Sequence, residues 1–569
     1  MKNRLPNFFR LARSTVGVMV LASLLWACNQ QDDSNRESSN LTNDRPNILL
    51  IVADDLGYSD IGSFGGEIAT PTLDALAQAG FQLTNFHVLP TCSPSRSVLL
   101  SGTDNHTAGL GTMGEFIGPE LAGQPGYEGY LNFEVAALPE ILSAAGYHTY
   151  IAGKWHLGHD SETSPFARGF DETFALIPGG GSHWSDRKPL SPTQPMDYQR
   201  NGVLVDELPA DFYSTRAYTD YMLDWIGENH EDGAPFFGYL SYTAPHDPLH
   251  APQEYIDKYT GTYDGGWDVL RETRLQNLKD LGIINENAQA SPRLPTVPAW
   301  EDLSPEHRAE EARNMEVYAA MVDYLDDEIG RVIDYLKEID EYDNTMIIFL
   351  SDNGANGASF DAYPGQTQEY TGSFDNSLEN RGLPNSLIEM GPGWAQASMA
   401  PSRMFKGFPS EGGIRAPLLI KLPGEMKNAG QMDDSFMHIR DLMPTILDLA
   451  DIEHSTEFNG REVEPMQGQS LLSYFAGEAS EPYASAGEVG YELFGMKAQF
   501  DGDWKIIMLQ EPFGTGDWQL YNVREDPGEI NDLSAQYPEQ RQALITLWEQ
   551  YREDHNVLEN LMDMASRIN

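Results

Sequence analysis

Apolar positions along this chain fall into two alternating rhythms. Asn47-Ile48-Leu49-Leu50-Ile51-Val52-Ala53 is a nearly continuous aliphatic and β-branched run, the pattern of a central strand covered on both faces. It ends in Asp54-Asp55. Thr70-Pro71-Thr72-Leu73 then opens a short helix that stops at Gly80, with proline in the first turn and glycine at the end. Leu138 to Ala145 reads as helix, and Tyr147 to Ala152 as a strand running into Gly153-Lys154-Trp155-His156. Phe236 to Leu240 is a further apolar strand, delivering the chain to Ala244-Pro245-His246-Asp247-Pro248. Met315, Tyr318, Val322, Leu325, Ile329, Val332 and Leu336 recur by threes and fours, one face of a long amphipathic helix. It feeds the strand Met346 to Leu350, which ends in Ser351-Asp352-Asn353-Gly354. Alternating strands and helices predict an α/β fold, with polar clusters where open α/β sheets bind ligands.

From about Met496 the rhythm shortens to strands at Lys497 to Phe500, Trp504 to Leu509 and Trp518 to Asn522, followed by a helix from Pro538 to about Tyr551. Residues 481–569 therefore read as a small antiparallel sheet with a covering helix, beside a catalytic domain over 45–480. The turn-rich stretches 179–211 and 356–402 are expected to face substrate, because loops of that length in a domain are commonly functional.

The N-terminus follows another pattern. Lys2, Arg4, Arg10 and Arg13 precede the apolar stretch Val16 to Ala27, which is shorter than the roughly 20 residues a spanning helix needs. Residues 1–28 thus read as an export signal. Leu25-Trp26-Ala27-Cys28 resembles the lipobox of bacterial lipoproteins, in which the cysteine is lipidated and becomes the new N-terminus; ordinary cleavage is the other reading. Residues 29–44 are polar and read as a tether. The expected location is periplasmic, free or tethered as a lipoprotein, with membrane contact only through that lipid.

Charge narrows the partners. Lys and Arg number 36 against 87 Asp and Glu, a net charge of -51, which excludes nucleic acid and anionic membrane surfaces as general partners. A site for an anionic substrate must then concentrate its own positive charge. The chain has two cysteines; Cys28 closes the export segment, so Cys92 has no obvious disulfide partner and reads as a chemical thiol.

Asp54, Asp55, Asp352 and Asn353 are oxygen donors at the ends of two strands that could be neighbours, a set suited to Ca²⁺ or Mg²⁺ more than Zn²⁺. On the residues alone, a helix cap and a turn explain them equally well. Lys154 and His156, one residue apart, would point the same way from an extended loop. With His246, Lys406 and Arg96 they would make the cationic set an anionic ester needs, although singly each is more often a surface or hydrogen-bonded residue.

Cys92-Ser93-Pro94-Ser95-Arg96, extended by Ser97-Val98-Leu99-Leu100-Ser101-Gly102, resembles the type I sulfatase signature C-x-P-x-R. Gly153-Lys154-Trp155-His156 resembles the core of that family's second signature. The likeness runs from about Arg45 to the C-terminus and takes in Ala53-Asp54-Asp55, Ala244-Pro245-His246, Ser351-Asp352-Asn353-Gly354 and Glu411-Gly412-Gly413-Ile414-Arg415. Within the family the chain looks most like the bacterial arylsulfatases.

The resemblance implies an alkaline-phosphatase-like fold, a large mixed sheet sandwiched by helices. It implies that a formylglycine-generating enzyme oxidises Cys92 to formylglycine, whose hydrate attacks sulfur with one hydroxyl and expels sulfate with the other. Asp54, Asp55, Asp352 and Asn353 would hold Ca²⁺, Arg96 the hydrate, and Lys154 and Lys406 the sulfate oxygens. His246 would serve the leaving oxygen, and His156 would take the proton of the second hydroxyl. The expected activity is hydrolysis of sulfate monoesters of the aryl type. Phosphonate monoester or phosphodiester hydrolysis with the same nucleophile is the alternative, and non-catalytic, calcium-dependent binding of sulfated glycans is a third.

Overall fold

In the computed structural model of the chain, residues 45–426, 428–483 and 488–558 are described; the export segment and tether, 1–44, lie outside them, as does the lipobox cysteine. The main sheet has eleven strands: β1 (Asn47–Ala53), β2 (Phe81–His87), β3 (His148–Lys154), β4 (Glu172–Leu176), β5 (Tyr198–Arg200), β6 (Val203–Leu204), β7 (Phe236–Ser241), β8 (Thr345–Ser351), β9 (Arg415–Lys421), β10 (Gln431–Asp433) and β11 (Met437–His438). Their order is β10-β2-β9-β8-β1-β7-β3-β4-β5-β6, with β11 also on β2. At its centre β8, β1, β7 and β3 run parallel. A parallel sheet needs cover on both faces, which is why β1, β7 and β8 are buried throughout and legible as apolar runs.

Helices pack on this sheet. Ser214–Asn229 lies on β3 and β7 and against the long helix Pro305–Glu338; Pro71–Ala79 lies on β9. The apolar stripe Met315 to Leu336 is buried as its period predicts. The helix starts earlier than the stripe, at Pro305, where the Ser304 hydroxyl accepts the His307 N–H at 3.2 Å, an N-cap with proline in the first turn.

Two strands of the sheet escape the apolar pattern. β2 carries Gln82, Thr84 and Asn85, and β9 contains Pro417, which cannot donate to a ladder. Pro417 is tolerated because the β2–β9 register slips between Leu83 and Phe86, at the point where it sits.

Near the C-terminus a short hairpin, β12 (Glu457–Phe458) and β13 (Arg461–Glu462), precedes the antiparallel sheet β14 (Glu488–Leu493), β15 (Met496–Asp501), β16 (Trp504–Met508) and β17 (Gln519–Asn522). The helix Pro538–Asp554 crosses it and buries Leu544 and Trp548. β14 is an addition to the strands read from sequence. It turns into β15 through Phe494-Gly495, both at positive φ (56° and 79°), the two-residue turn that matches strand twist. The buried Lys505 of β16 sends its ammonium into the main body, 2.9 Å from Glu411 Oε1 and 2.7 Å from Glu529 Oε1. Glu411 Oε2 also meets His87 Nε2 at 3.0 Å.

Candidate active site

The parallel core brings the chemistry-bearing residues together. Register pairs Ala53 with Ser351, so Asp54 and Asp55 leave β1 beside Asp352 and Asn353 leaving β8. Lys154 is the last residue of β3, and β7 delivers the loop that carries His246. All stand at the carboxyl ends of neighbouring strands, where open α/β sheets place their sites.

Cys92 is the first residue of the helix Cys92–Ser101, every residue of which is buried. Arg96 follows four residues later on the same face, so the C-x-P-x-R spacing aims a thiol and a guanidinium at one place. Lys406 arrives on a folded loop, its N–H donating to Ala355 O at 3.1 Å.

These side chains interlock. The Lys406 ammonium donates to both Asp55 oxygens at 2.7 and 2.9 Å and to Cys92 Sγ at 3.1 Å. The thiol lies 3.4 Å from Asp54 Oδ1, and Lys154 Nζ donates to Asp54 Oδ2 at 2.7 Å. Arg96 Nε donates to Asp352 Oδ2 at 2.8 Å, and its terminal nitrogens reach Ser241 Oγ and, at 3.7 Å, Asp54 Oδ1. Asp352 Oδ1 also accepts the Asp55 N–H at 3.3 Å. His246 Nδ1 donates to Asp247 O at 2.6 Å, leaving Nε2 3.5 Å from Asp55 Oδ2.

Burial alone would push Asp54 and Asp55 above the carboxylate range. The surrounding cations overcome it: Lys154, His246 and Arg96 hold Asp54 below its usual value, and Lys406 and His246 do so for Asp55. Burial pushes the Cys92 thiol up, so as a cysteine it stays protonated and is a poor nucleophile.

Asp54, Asp55, Asp352 and Asn353 fit a hard divalent cation. The donors are oxygens, and Asn353 Oδ1 is buried with no hydrogen-bond partner while its amide nitrogen sits 2.6 Å from Asp55 Oδ1. A buried, unpaired carbonyl oxygen beside carboxylates has an unmet need that an oxygen-seeking cation satisfies. Donor atoms of Asp54, Asp55, Cys92 and His246 also fall within 4.8 Å of one another, which puts His246 and position 92 beside the carboxylates.

Lys154 and His156 do not point the same way from an extended loop. Lys154 belongs to β3 and turns to Asp54. His156 has φ of 54°, and its left-handed backbone swings the ring away, where Nε2 meets Glu115 Oε2 at 3.2 Å. A cavity opens beside the cluster, lined by Cys92, His156, His246 and Lys406 together with Met113, Phe116, Leu190, Tyr363 and Phe494. Leu190 and Tyr363 come from the two long excursions. Glu115, Phe116 and Phe494 are outside every motif, and no local pattern marks them.

The chain is similar to known proteins. Residues 46–452 match the sulfatase family, and residues 403–556 match the family described as N-sulphoglucosamine sulphohydrolase, C-terminal. The chain is 46% identical over 527 residues to an uncharacterized sulfatase of Schizosaccharomyces pombe, covering 90% of this chain and 94% of that one. It is 40% identical over 431 residues to the arylsulfatase of Klebsiella aerogenes, covering 75% and 91%. The crystal structure of Ps i-CgsB in complex with k-i-k-neocarrahexaose aligns with a TM-score of 0.64 at 23% identity, over 92% and 96% of the two chains. The fold is thus the alkaline-phosphatase-like one of sulfatases, and the chain belongs to the sulfatase family of hydrolases.

Proposed function

We propose that the protein hydrolyses sulfate monoesters with an aryl or similarly apolar leaving group, using a formylglycine made from Cys92 by a formylglycine-generating enzyme and a Ca²⁺ ion held by Asp54, Asp55, Asp352 and Asn353. The observation that carries this reading is the thiol itself: it is enclosed, kept protonated by burial, and set among three cations and three carboxylates. Such surroundings suit an anionic ester at position 92 but not a thiolate. The apolar residues in the cavity lining, Met113, Phe116, Leu190 and Phe494, favour an aryl group over a polar sugar, in keeping with the 40% identity to an arylsulfatase.

Bound Ca²⁺ would polarise a sulfate oxygen and favour the ionised form of the aldehyde hydrate. The remaining work falls to the chain. Lys406 and Lys154 meet the charge on the sulfate oxygens. Arg96, fixed by Asp352, positions the side chain at 92. His246 has its Nδ1–H tied to a carbonyl, so Nε2 is the nitrogen that serves the leaving oxygen. His156, which lines the same cavity, accepts a proton from the side chain at 92.

The N-terminal segment supports export and tethering or cleavage at Cys28; among the described residues no helix is long and apolar enough to cross a membrane. The test combines peptide mass analysis at position 92 with release of sulfate from an aryl sulfate, set against turnover of an aryl phosphodiester. An aldehyde at 92 with preferred sulfate release supports the reading. Activity with an unmodified thiol would sink it, preferred phosphodiester turnover would favour the phosphorus reading, and binding without release from the aldehyde form would favour a glycan binder.

A further inference from the structure

From the contacts around His156 we infer that Glu115 is a positioning residue for catalysis, which sets the tautomer and orientation of the imidazole that takes the proton from the side chain at 92. The inference rests on the hydrolytic reading above and adds a residue that none of the motifs contains. Glu115 sits in a single 3-10 turn, Gly114–Phe116, and its carboxylate faces His156 Nε2 at 3.2 Å. Both side chains are largely enclosed, 4% and 17% exposed. Burial raises the Glu115 carboxyl, but His156 outweighs it and holds the group at about 2, so it is an anion throughout the working pH range. A carboxylate can only accept. Nε2 must therefore carry the proton, and in the neutral ring Nδ1 is left with the lone pair.

Nδ1 is the free nitrogen of this ring: it is buried and has no hydrogen-bond partner. The other contacts on the residue hold the imidazole in place. Its backbone N–H donates to Ile177 O at 3.2 Å, and Gly179 lies flush against the ring, so close that a Cβ there would stand 2.7 Å from His156 Cε1. The ring is thus held at Nε2 and backed by glycine, with Nδ1 left unpaired, and His156 lines the same cavity as Cys92. In the transfer, the O–H bond at position 92 breaks, an N–H bond forms at Nδ1, and the electron pair stays on oxygen. The imidazolium that results lies against the Glu115 anion, which stabilises it without taking the proton. This is the logic of a carboxylate behind a catalytic histidine, where losing the carboxylate leaves the wrong tautomer.

The test uses the purified, aldehyde-bearing enzyme and its Glu115→Gln and Glu115→Asp variants, assayed with an aryl sulfate. His156 is observed by ¹⁵N NMR of the histidine side chains, assigned by loss of signal in His156→Gln. In Glu115→Gln, kcat falls about 10- to 100-fold, within the range general acid–base groups supply, while KM changes less than about threefold. Glu115→Asp recovers part of kcat, and the His156 signals leave the Nε2–H pattern in Glu115→Gln alone. An unchanged kcat, a loss confined to KM, or an unchanged tautomer with the two variants equally impaired would each overturn the inference. Wild-type protein that releases no sulfate would instead count against the hydrolytic reading; the tautomer measurement decides the Glu115–His156 pairing regardless.

Discussion

Replacing Lys505 by methionine should unfold the protein more easily and slow it, although the residue lies on the C-terminal sheet and touches no substrate. Its ammonium is fully enclosed, 2.9 Å from Glu411 Oε1 and 2.7 Å from Glu529 Oε1, and both carboxylates are equally enclosed. Methionine fills a similar volume, so the loss is one of charge, not of packing. It removes the ammonium from two buried carboxylates, leaving His87 against Glu411 and the Glu411 N–H against Glu529. Removing one partner of a buried pair costs about 3–5 kcal/mol; burial already raises the Glu529 carboxyl, which can take up a proton and so limits the expectation to the lower end. The damage should reach the active site through the chain. Glu411 opens the turn Glu411–Ile414, Gly413 O accepts the N–H of Gly354 at 3.1 Å beside Asn353, and the Gly412 N–H bonds Arg403 O on the loop bearing Lys406. The assay is urea unfolding followed by tryptophan fluorescence, with aryl sulfate turnover below the transition. The triple variant Lys505→Met, Glu411→Gln, Glu529→Gln should recover much of the stability, because neutral partners remove the stranded charge. A single-variant loss below about 1 kcal/mol, the range of an exposed pair, would refute the reasoning.

Gly179→Ala should lower kcat for an aryl sulfate at least tenfold by pushing the His156 ring, since a misplacement of about 1 Å can cost on the order of 100-fold; unchanged kcat would show that the ring gives way freely. Stability should depend on His106, which Asp104 and Glu492 raise to about 9 against the opposing effect of burial. Its contribution, on the order of 3 kcal/mol, is complete below its ordinary value of 6.5 and is lost as pH rises through 9. Thermal melts of wild type and His106→Gln should therefore converge between neutrality and pH 10, and parallel curves would contradict this. Chelation should abolish sulfate release and lower the melting temperature, both restored by Ca²⁺, while full activity after exhaustive chelation would remove the metal from the reaction. Phe116→Ser should raise KM for an aryl sulfate about tenfold, the worth of roughly 1–2 kcal/mol of apolar contact, and leave KM for a short alkyl sulfate near its original value.

What the sequence discloses and what it hides follow from how each residue is held. β1, β7 and β8 are legible because strands covered on both faces must be apolar along their whole length, and the acids that follow them are conspicuous for ending such runs. β2 and β9 are hidden by polar residues and by Pro417, which only the bulge between them explains. Cys92 and Arg96 declare themselves through a spacing that a helix converts into a shared face. The direction of His156 is invisible, since one left-handed φ after β3 reverses the alternation that an extended chain would keep. Glu115 and Phe494 are brought to the cavity by tertiary folding from 41 residues before His156 and from the turn between β14 and β15, and nothing local distinguishes them from other loop residues.

The helix Cys92–Ser101 is enclosed along its whole length, and Cys92 itself is 1% exposed. It packs against the turn Ile439–Asp441 and the helix Leu442–Leu449, both far later in the chain. An enzyme that oxidised the thiol as proposed would not reach it in the finished fold, where the whole helix is buried. On the formylglycine reading proposed above, maturation would be a matter of timing, with the chemistry at position 92 completed before the later part of the chain closes over it.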